Sequence, residues 1–176
     1  MLRGINLGNR QVKMYALRNL YESLGFEDVA TFIQSGNVVF RTNEHSLDKI
    51  NKRIYDGFEK TFGFPSDIIL RTADEMRGVI ERNPFTTRKD IEPAKLLVWF
   101  FAEKPVAEAR KKAIALAADV PEEMHLNERE AYIYFPNGQA RPKLSMPAVD
   151  RALKVSGTGR NWNSVMKLME MAERSS

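Results

Sequence analysis

Arg3, Asn6, Arg10 and Lys13 crowd the glycine-punctuated stretch Leu2-Arg3-Gly4-Ile5-Asn6-Leu7-Gly8-Asn9 and the start of the helix that follows it. Backbone N–H groups at a helix start, with cations beside them, suit a phosphate or a carboxylate. The stretch is not a Walker A loop, because no Gly-Lys-Ser/Thr follows, and the chain has no Gly-x-Gly-x-x-Gly. The plain alternative is a glycine-rich connection with solvated charges. A second candidate is Gln34, a polar residue at the end of an apolar run. Its neighbours Ser35-Gly36-Asn37 are explained by turn chemistry alone, since Gly and Asn accept positive φ and the Ser and Asn side chains bond nearby backbone.

A third cluster lies near the C-terminus: Arg141, Lys143, Arg160, Asn161, Trp162 and Asn163. Cations and an indole together can neutralise and stack on a nucleotide or a strand of RNA, and Gly157-Thr158-Gly159 offers a backbone that a ligand can approach closely. The competing reading has Asn161 or Asn163 as the N-cap of the last helix and Trp162 as a packed anchor. Arg110-Lys111-Lys112 reads as the solvated face of an amphipathic helix rather than a phosphate contact.

Other chemistries find little support. Cysteine is absent, which removes disulfides, thiolate nucleophiles, Cys-ligated zinc and iron–sulfur clusters. The two histidines, His45 and His125, form no His-x-x-x-His pattern, so no metal site is expected. Glu122-Glu123 and Glu128/Glu130 belong to a turn expected to be exposed, not to a cleft holding an acid–base pair. Ser35 has no nearby histidine or lysine to activate it. No catalytic residue can be named, enzymatic activity stays open, and no cofactor is expected. The net charge of +4 permits phosphate contact without requiring it. There is no signal-peptide pattern and no apolar run long enough to span a bilayer, so the expected location is cytoplasmic.

The elements that must position these residues follow from periodicity. Leu2 to Ile5 reads as a strand. Leu17, Leu20, Tyr21 and Leu24 make one helical face, closed by Gly25. Val29 to Arg41 reads as a hairpin with largely buried strands. A second helix carries Leu47, Ile50, Ile54, Phe58 and Phe62 and stops at Gly63; Ser66 to Leu70 reads as a strand. This is the β-α-β-β-α-β order of ferredoxin-like domains. Thr72-Ala73-Asp74-Glu75 opens a third helix as a capping box, and Asn83-Pro84 ends it. The second half reads as a strand over 96–101, a helix over 106–118, a hairpin over 123–135, and helices over 145–154 and 164–172. The expected fold is α+β: a ferredoxin-like first half over residues 1–82, a linker over 83–94, and a similar β-α-β-β-α half over 95–176 that ends in a helix, packed as one body. The first strand is short for a central position, which predicts a natural chain that starts upstream of Met1.

Four segments carry a resemblance to a family. They are Leu2 to Gly8, Phe32-Ile33-Gln34-Ser35-Gly36-Asn37-Val38-Val39-Phe40, Tyr134-Phe135-Pro136-Asn137-Gly138 and Arg160-Asn161-Trp162-Asn163. In these the chain resembles the bacterial domain-of-unknown-function family 1697. The resemblance implies a two-part α+β fold with a ferredoxin-like first half, and residues ahead of the Leu-Arg-Gly-Ile-Asn segment. It implies no activity, substrate or cofactor. Asn9 stands where the family commonly has a second glycine, and Ala140 and Pro142 flank Arg141 where a glycine and a serine are common.

Two functions compete. In the first, the protein binds a small anionic ligand between its halves, with or without catalysis, through Arg3, Asn6, Arg10, Gln34, Arg141, Lys143, Arg160, Asn161 and Asn163. In the second it is an RNA- or DNA-binding module that uses a basic face, although the aromatic motif of an RRM sheet is absent. No membrane partner is expected, and the sequence does not specify an oligomeric state.

Overall fold

The computed structural model describes residues 1–174. The described chain is a mixed α/β protein with two antiparallel sheets and six α-helices. It divides into two units: unit 1 takes Met1–Ala73 and the chain from Lys167 on, and unit 2 is Asp74–Met166.

Unit 1 holds α1 (Met14–Ser23), β1 (Glu27–Phe32), β2 (Asn37–Arg41) and α2 (Leu47–Phe62). Each helix forms where its apolar stripe predicts. Leu17, Leu20 and Tyr21 of α1 are buried, and Gly25 supplies the left-handed backbone that closes the helix at φ +78°. Ser46 caps α2 by accepting from Lys49 N, and Gly63 ends it in the left-handed region. Ile50, Ile54 and Phe58 of α2 share one core with Leu17, Leu20, Tyr21, Phe26 and Val29.

β1 and β2 form the expected hairpin, with Ala30 opposite Val39 and Phe32 opposite Asn37. Asn37 is fully buried, and its Nδ2 donates to Phe32 O and Ser35 Oγ across the turn. The turn runs from Ile33 at φ +50° to Gly36 at φ +77°. The strands are not largely buried as the sequence reading expects: Val29 of β1 and Asn37 of β2 are their buried residues, and Ile33 in the turn is 51% exposed.

The ferredoxin-like first half is only partly realised. Residues 2–5 and 66–70 are not strands; Leu2 and Ile68 form a single antiparallel bridge. Leu2 N donates to Gly36 O, Arg3 N to Asp67 O and Ile69 N to Met1 O, so residues 1–3 do lie between the turn and residues 67–69. Extension stops there for a local reason. Gly4 at φ +68° and Asn6 at φ +57° turn the backbone out of the β region at once. The sheet of unit 1 therefore has two strands.

Unit 2 holds α3 (Ala73–Glu81, less its first residue), β3 (Leu96–Phe101), α4 (Ala107–Ala115), β4 (Glu123–Leu126), β5 (Glu130–Tyr134), α5 (Met146–Leu153) and β6 (Gly157–Asn161). The last helix, α6 (Trp162–Arg174), crosses the division between the units. The four strands run in the order β4-β5-β3-β6, each pair antiparallel. Leu97, Trp99, Phe101, Ala131 and Ile133 face a cluster with Ala113 of α4 and Val149 and Leu153 of α5.

The other face takes α3, where Tyr132 donates its hydroxyl to Val79 O at 2.7 Å. Residues 83–94, read from sequence as a linker, lie inside unit 2. Phe85 is buried edge-on to His125, 5.1 Å between ring centroids, and Tyr134 donates to Asp90 O.

β6 corrects the sequence reading, which gave the second half no fourth strand. Gly-Thr-Gly is a poor strand former, but β6 pairs with β3 from Leu97↔Asn161 to Phe101↔Gly157. The glycines make room for Trp99. A Cβ on Gly157 would stand 2.1 Å from the indole Nε1, and one on Gly159 would stand 2.9 Å from its Cε3. The close backbone approach offered by these glycines is thus taken up by the protein's own indole.

Glu122 is a second correction. It is buried rather than in an exposed turn, and its carboxylate accepts from Lys143 N at 2.9 Å and Leu144 N at 3.1 Å. Those bonds fasten the loop between β5 and α5. Glu122→Ala leaves both amides without their acceptor and is expected to cost about 3 kcal/mol in urea unfolding. Glu123→Ala, which removes only a surface ion pair with Arg88, is expected to cost under about 1 kcal/mol.

Candidate functional site

The Arg3–Lys13 stretch of unit 1 is built around Asn6. Its Nδ2 donates to Gln34 O at 2.6 Å, and its Oδ1 accepts from Val12 N at 2.7 Å. The Asn6 N–H donates to Arg10 O, and Arg10 N donates to Leu7 O. One left-handed asparagine thus ties the loop to the hairpin turn on one side and to the approach to α1 on the other. Asn tolerates this backbone at low cost because its short side chain bonds locally. The sequence reading makes Asn6 a ligand contact; here both ends of its amide hold the loop. Gln34 lends its backbone carbonyl, and its side chain is exposed.

The turn packs on the same stretch. A Cβ on Gly36 would stand 2.7 Å from Ile5 Cδ1 and 3.0 Å from Leu2 Cβ. The two glycine-bearing segments singled out by sequence, Leu2 to Gly8 and Phe32 to Phe40, are therefore in direct contact. Around this frame sit the cations. Arg3 lies 3.8 Å from Asp67. Arg10 is exposed, with its guanidinium 5.8 Å from the centre of the Phe64 ring. Lys13 is exposed, with its ammonium 5.8 Å from the Tyr15 ring centre. Neither Arg10 nor Lys13 has an ion pair among the described residues. The first turn of α1 carries no acid, and its N-cap residue makes no side-chain hydrogen bond.

Unit 2 separates the other candidates. Val98 lies opposite both Tyr132 and Arg160, so Arg160 points to the α3 face of the sheet. It is buried, donates to Thr158 Oγ1 and Gly159 O, and burial pulls its pKa down to about 10, which still leaves it charged at neutral pH. Asn161 caps α6: its Oδ1 accepts from Asn163 N while its Nδ2 donates to Ala94 O. The N-cap reading therefore holds for Asn161, Trp162 is a half-buried first residue of the helix, and Asn163 is exposed.

Arg141 and Lys143 are exposed in the loop before α5, next to Leu144, which belongs to the cluster on the opposite face of the sheet from Arg160. Arg160 and the Arg141–Lys143 pair thus do not join in one cationic site. In the basic run, Arg110 holds the β4–β5 turn by donating to Asn127 O and Leu126 O, and Lys112 pairs with Glu108.

Sequence reasoning missed a polar assembly under α3. Glu130 is buried and pairs with Arg82 at 3.0 Å, and the Tyr132 hydroxyl lies 3.5 Å from the same carboxylate oxygen. Burial opposes the Arg82 charge, but the hydrogen bond and charge of Glu130 outweigh it and hold the guanidinium pKa above its ordinary value. Burial, reinforced by Glu130, pushes the Tyr132 phenol up. Beside it, Arg129 bonds Glu75 at 2.8 Å. No local pattern signals this assembly, because its members are far apart in the chain: Arg82 directly follows α3, and Glu130 and Tyr132 lie on β5. No group of three or more His, Asp or Glu placed to hold a metal occurs among the described residues.

The family described as "Protein of unknown function (DUF1697)" matches residues 1–132. The chain belongs to DUF1697. The match takes in Leu2 to Gly8 and Phe32 to Phe40, the two segments that the fold packs together. No curated protein matches the chain. Among solved structures, this DUF1697 member is similar to conserved bacterial protein SP0830 from Streptococcus pneumoniae: 21% identity, 98% of this chain and 96% of that one covered, TM-score 0.71. At that identity the likeness speaks to fold alone. No described helix is long and apolar enough to cross a membrane.

Proposed function

We propose that this protein is a bacterial, cytoplasmic binding protein for a small phosphate- or carboxylate-bearing anion, held at the Arg3–Lys13 stretch. The observation that carries the reading is the pairing of two exposed cations, Arg10 and Lys13, with the uncapped, acid-free start of α1. Helix-start amides and a positive dipole end favour an anion, and nearby guanidinium and ammonium groups add to it. In this reading Arg10 and Lys13 bind, Arg3 completes the positive field, and Asn6 positions the loop that carries them. The reading is one of binding. The strand order of unit 2 supports a ferredoxin-like assignment for that unit, with the Leu2–Ile68 bridge as its remnant in unit 1.

Thermal unfolding in inorganic pyrophosphate, against sodium chloride of equal ionic strength, tests the reading. Near-saturating pyrophosphate is expected to raise Tm by about 5 °C. The shift is expected to vanish in Arg10→Gln/Lys13→Gln and to persist in Arg141→Gln/Lys143→Gln. An equal shift in the Arg10→Gln/Lys13→Gln protein contradicts it.

A further inference from the structure

Leu7, Tyr15 and Ile33 are 68%, 64% and 51% exposed, and all three belong to the segments that Asn6 ties together. Leu7 follows Asn6 directly, Ile33 precedes Gln34, and Tyr15 lies in the first turn of α1 beneath the Lys13 ammonium.

Ile33 is the most informative of them. A β-branched residue at φ +50° is strained, and Gly or Asn would fill that turn position more easily. Nor does burial favour isoleucine there. Neither the backbone nor the core accounts for this side chain, which leaves contact outside the chain as its use.

The charge carried by the first 21 residues has one sign. Residues 1–21 contain four cations, Arg3, Arg10, Lys13 and Arg18, and no carboxylate. Among them Arg18 is paired with Glu22, and Arg3 lies near Asp67.

From this juxtaposition we infer that the patch is a peripheral docking surface for an anionic lipid bilayer, with Leu7, Tyr15 and Ile33 entering the headgroup–acyl boundary and Arg10 and Lys13 meeting the lipid phosphates. The inference rests on the anion-binding reading and names the source of the anion. Basic residues beside exposed apolar ones are the combination that an anionic leaflet attracts and retains. A second copy of the chain is disfavoured because it would bring like charges together. Aliphatic Leu7 and Ile33 offer no π-face to a nucleic-acid base.

Flotation with phosphatidylglycerol/phosphatidylcholine vesicles and with pure phosphatidylcholine vesicles is the test. The full chain is expected to float with the anionic vesicles and not with the zwitterionic ones, and Arg10→Gln/Lys13→Gln is expected to lose binding. Ile33→Asn is the sharper variant. It relieves the backbone, so Tm is expected to hold or rise, while vesicle affinity falls about tenfold with the loss of the apolar side chain. Undiminished binding of Ile33→Asn overturns the inference. So does absence of binding to anionic vesicles by a protein that pyrophosphate still stabilises, an outcome that leaves the anion site standing. If neither pyrophosphate nor vesicles engage the protein, both readings fall.

Discussion

Gly157→Ala is expected to lower the stability of the protein by about 3 kcal/mol, the upper part of the range for overpacking a well-filled core. The new methyl would stand 2.1 Å from Trp99 Nε1 and 2.8 Å from its Cδ1, on a strand whose register with β3 is fixed at both ends. The indole cannot swing away, because it is packed in the cluster beneath α4 and α5. Trp99→Ala removes the indole that causes the clash. In that background Gly157→Ala is expected to cost under about 1 kcal/mol, a coupling that a double-mutant cycle in urea reads directly. Trp99→Ala also gives up no hydrogen bond, since the buried Nε1 has no partner among the described residues. Equal cost of Gly157→Ala in both backgrounds means that the indole does not impose glycine at this position.

Arg82→Met and Glu130→Gln are expected to differ although they break the same pair. The Glu130 side chain is 4% exposed and that of Arg82 is 50% exposed. Removing Arg82 leaves a buried carboxylate facing only the Tyr132 hydroxyl, and the expected cost is about 3 kcal/mol. Removing the charge of Glu130 leaves a guanidinium that water can solvate, and the expected cost is about 1 kcal/mol. The double variant is expected to recover most of the difference, with a cost near that of Glu130→Gln alone. Equal single-variant costs would show that solvent exposure does not govern the pair, contrary to the structure.

What the sequence makes legible is what short-range physics decides. α2 is readable from end to end: Ser46 as cap, the Ile50–Ile54–Phe58 stripe, and Gly63 where a left-handed residue must follow. The β1–β2 hairpin, β3 and the β4–β5 hairpin are readable for the same reason. β6 is not, because Gly157-Thr158-Gly159 becomes a strand only when Trp99 needs the space above it, a requirement set by a residue far away in the chain. Leu2 to Ile5 fails in the other direction. Its apolar residues suggest a strand, but Gly4 and Asn6 take positive φ and the pairing shrinks to one bridge.

The candidate site shows the same division. The residue types around the Arg3–Lys13 stretch announce a place where an anion is tolerated. That Asn6 is the clamp of the loop depends on Gln34 O and Val12 N, which no local pattern identifies. Arg160 reads as a surface cation beside Asn161 and Trp162, yet strand alternation in β6 turns it inward. Glu122 reads as half of an exposed acidic pair, yet the backbone of Lys143 and Leu144 claims its carboxylate.

The central claim is the location of the anion, and amide chemical shifts measured by NMR during a titration with pyrophosphate test it most directly. The account predicts that the resonances that move belong to residues 3–16, with the largest changes at Arg10 and over the first turn of α1, and that residues 141–146 stay in place. Shifts centred on residues 141–146, or no shifts at all at pyrophosphate concentrations that raise Tm, would contradict it.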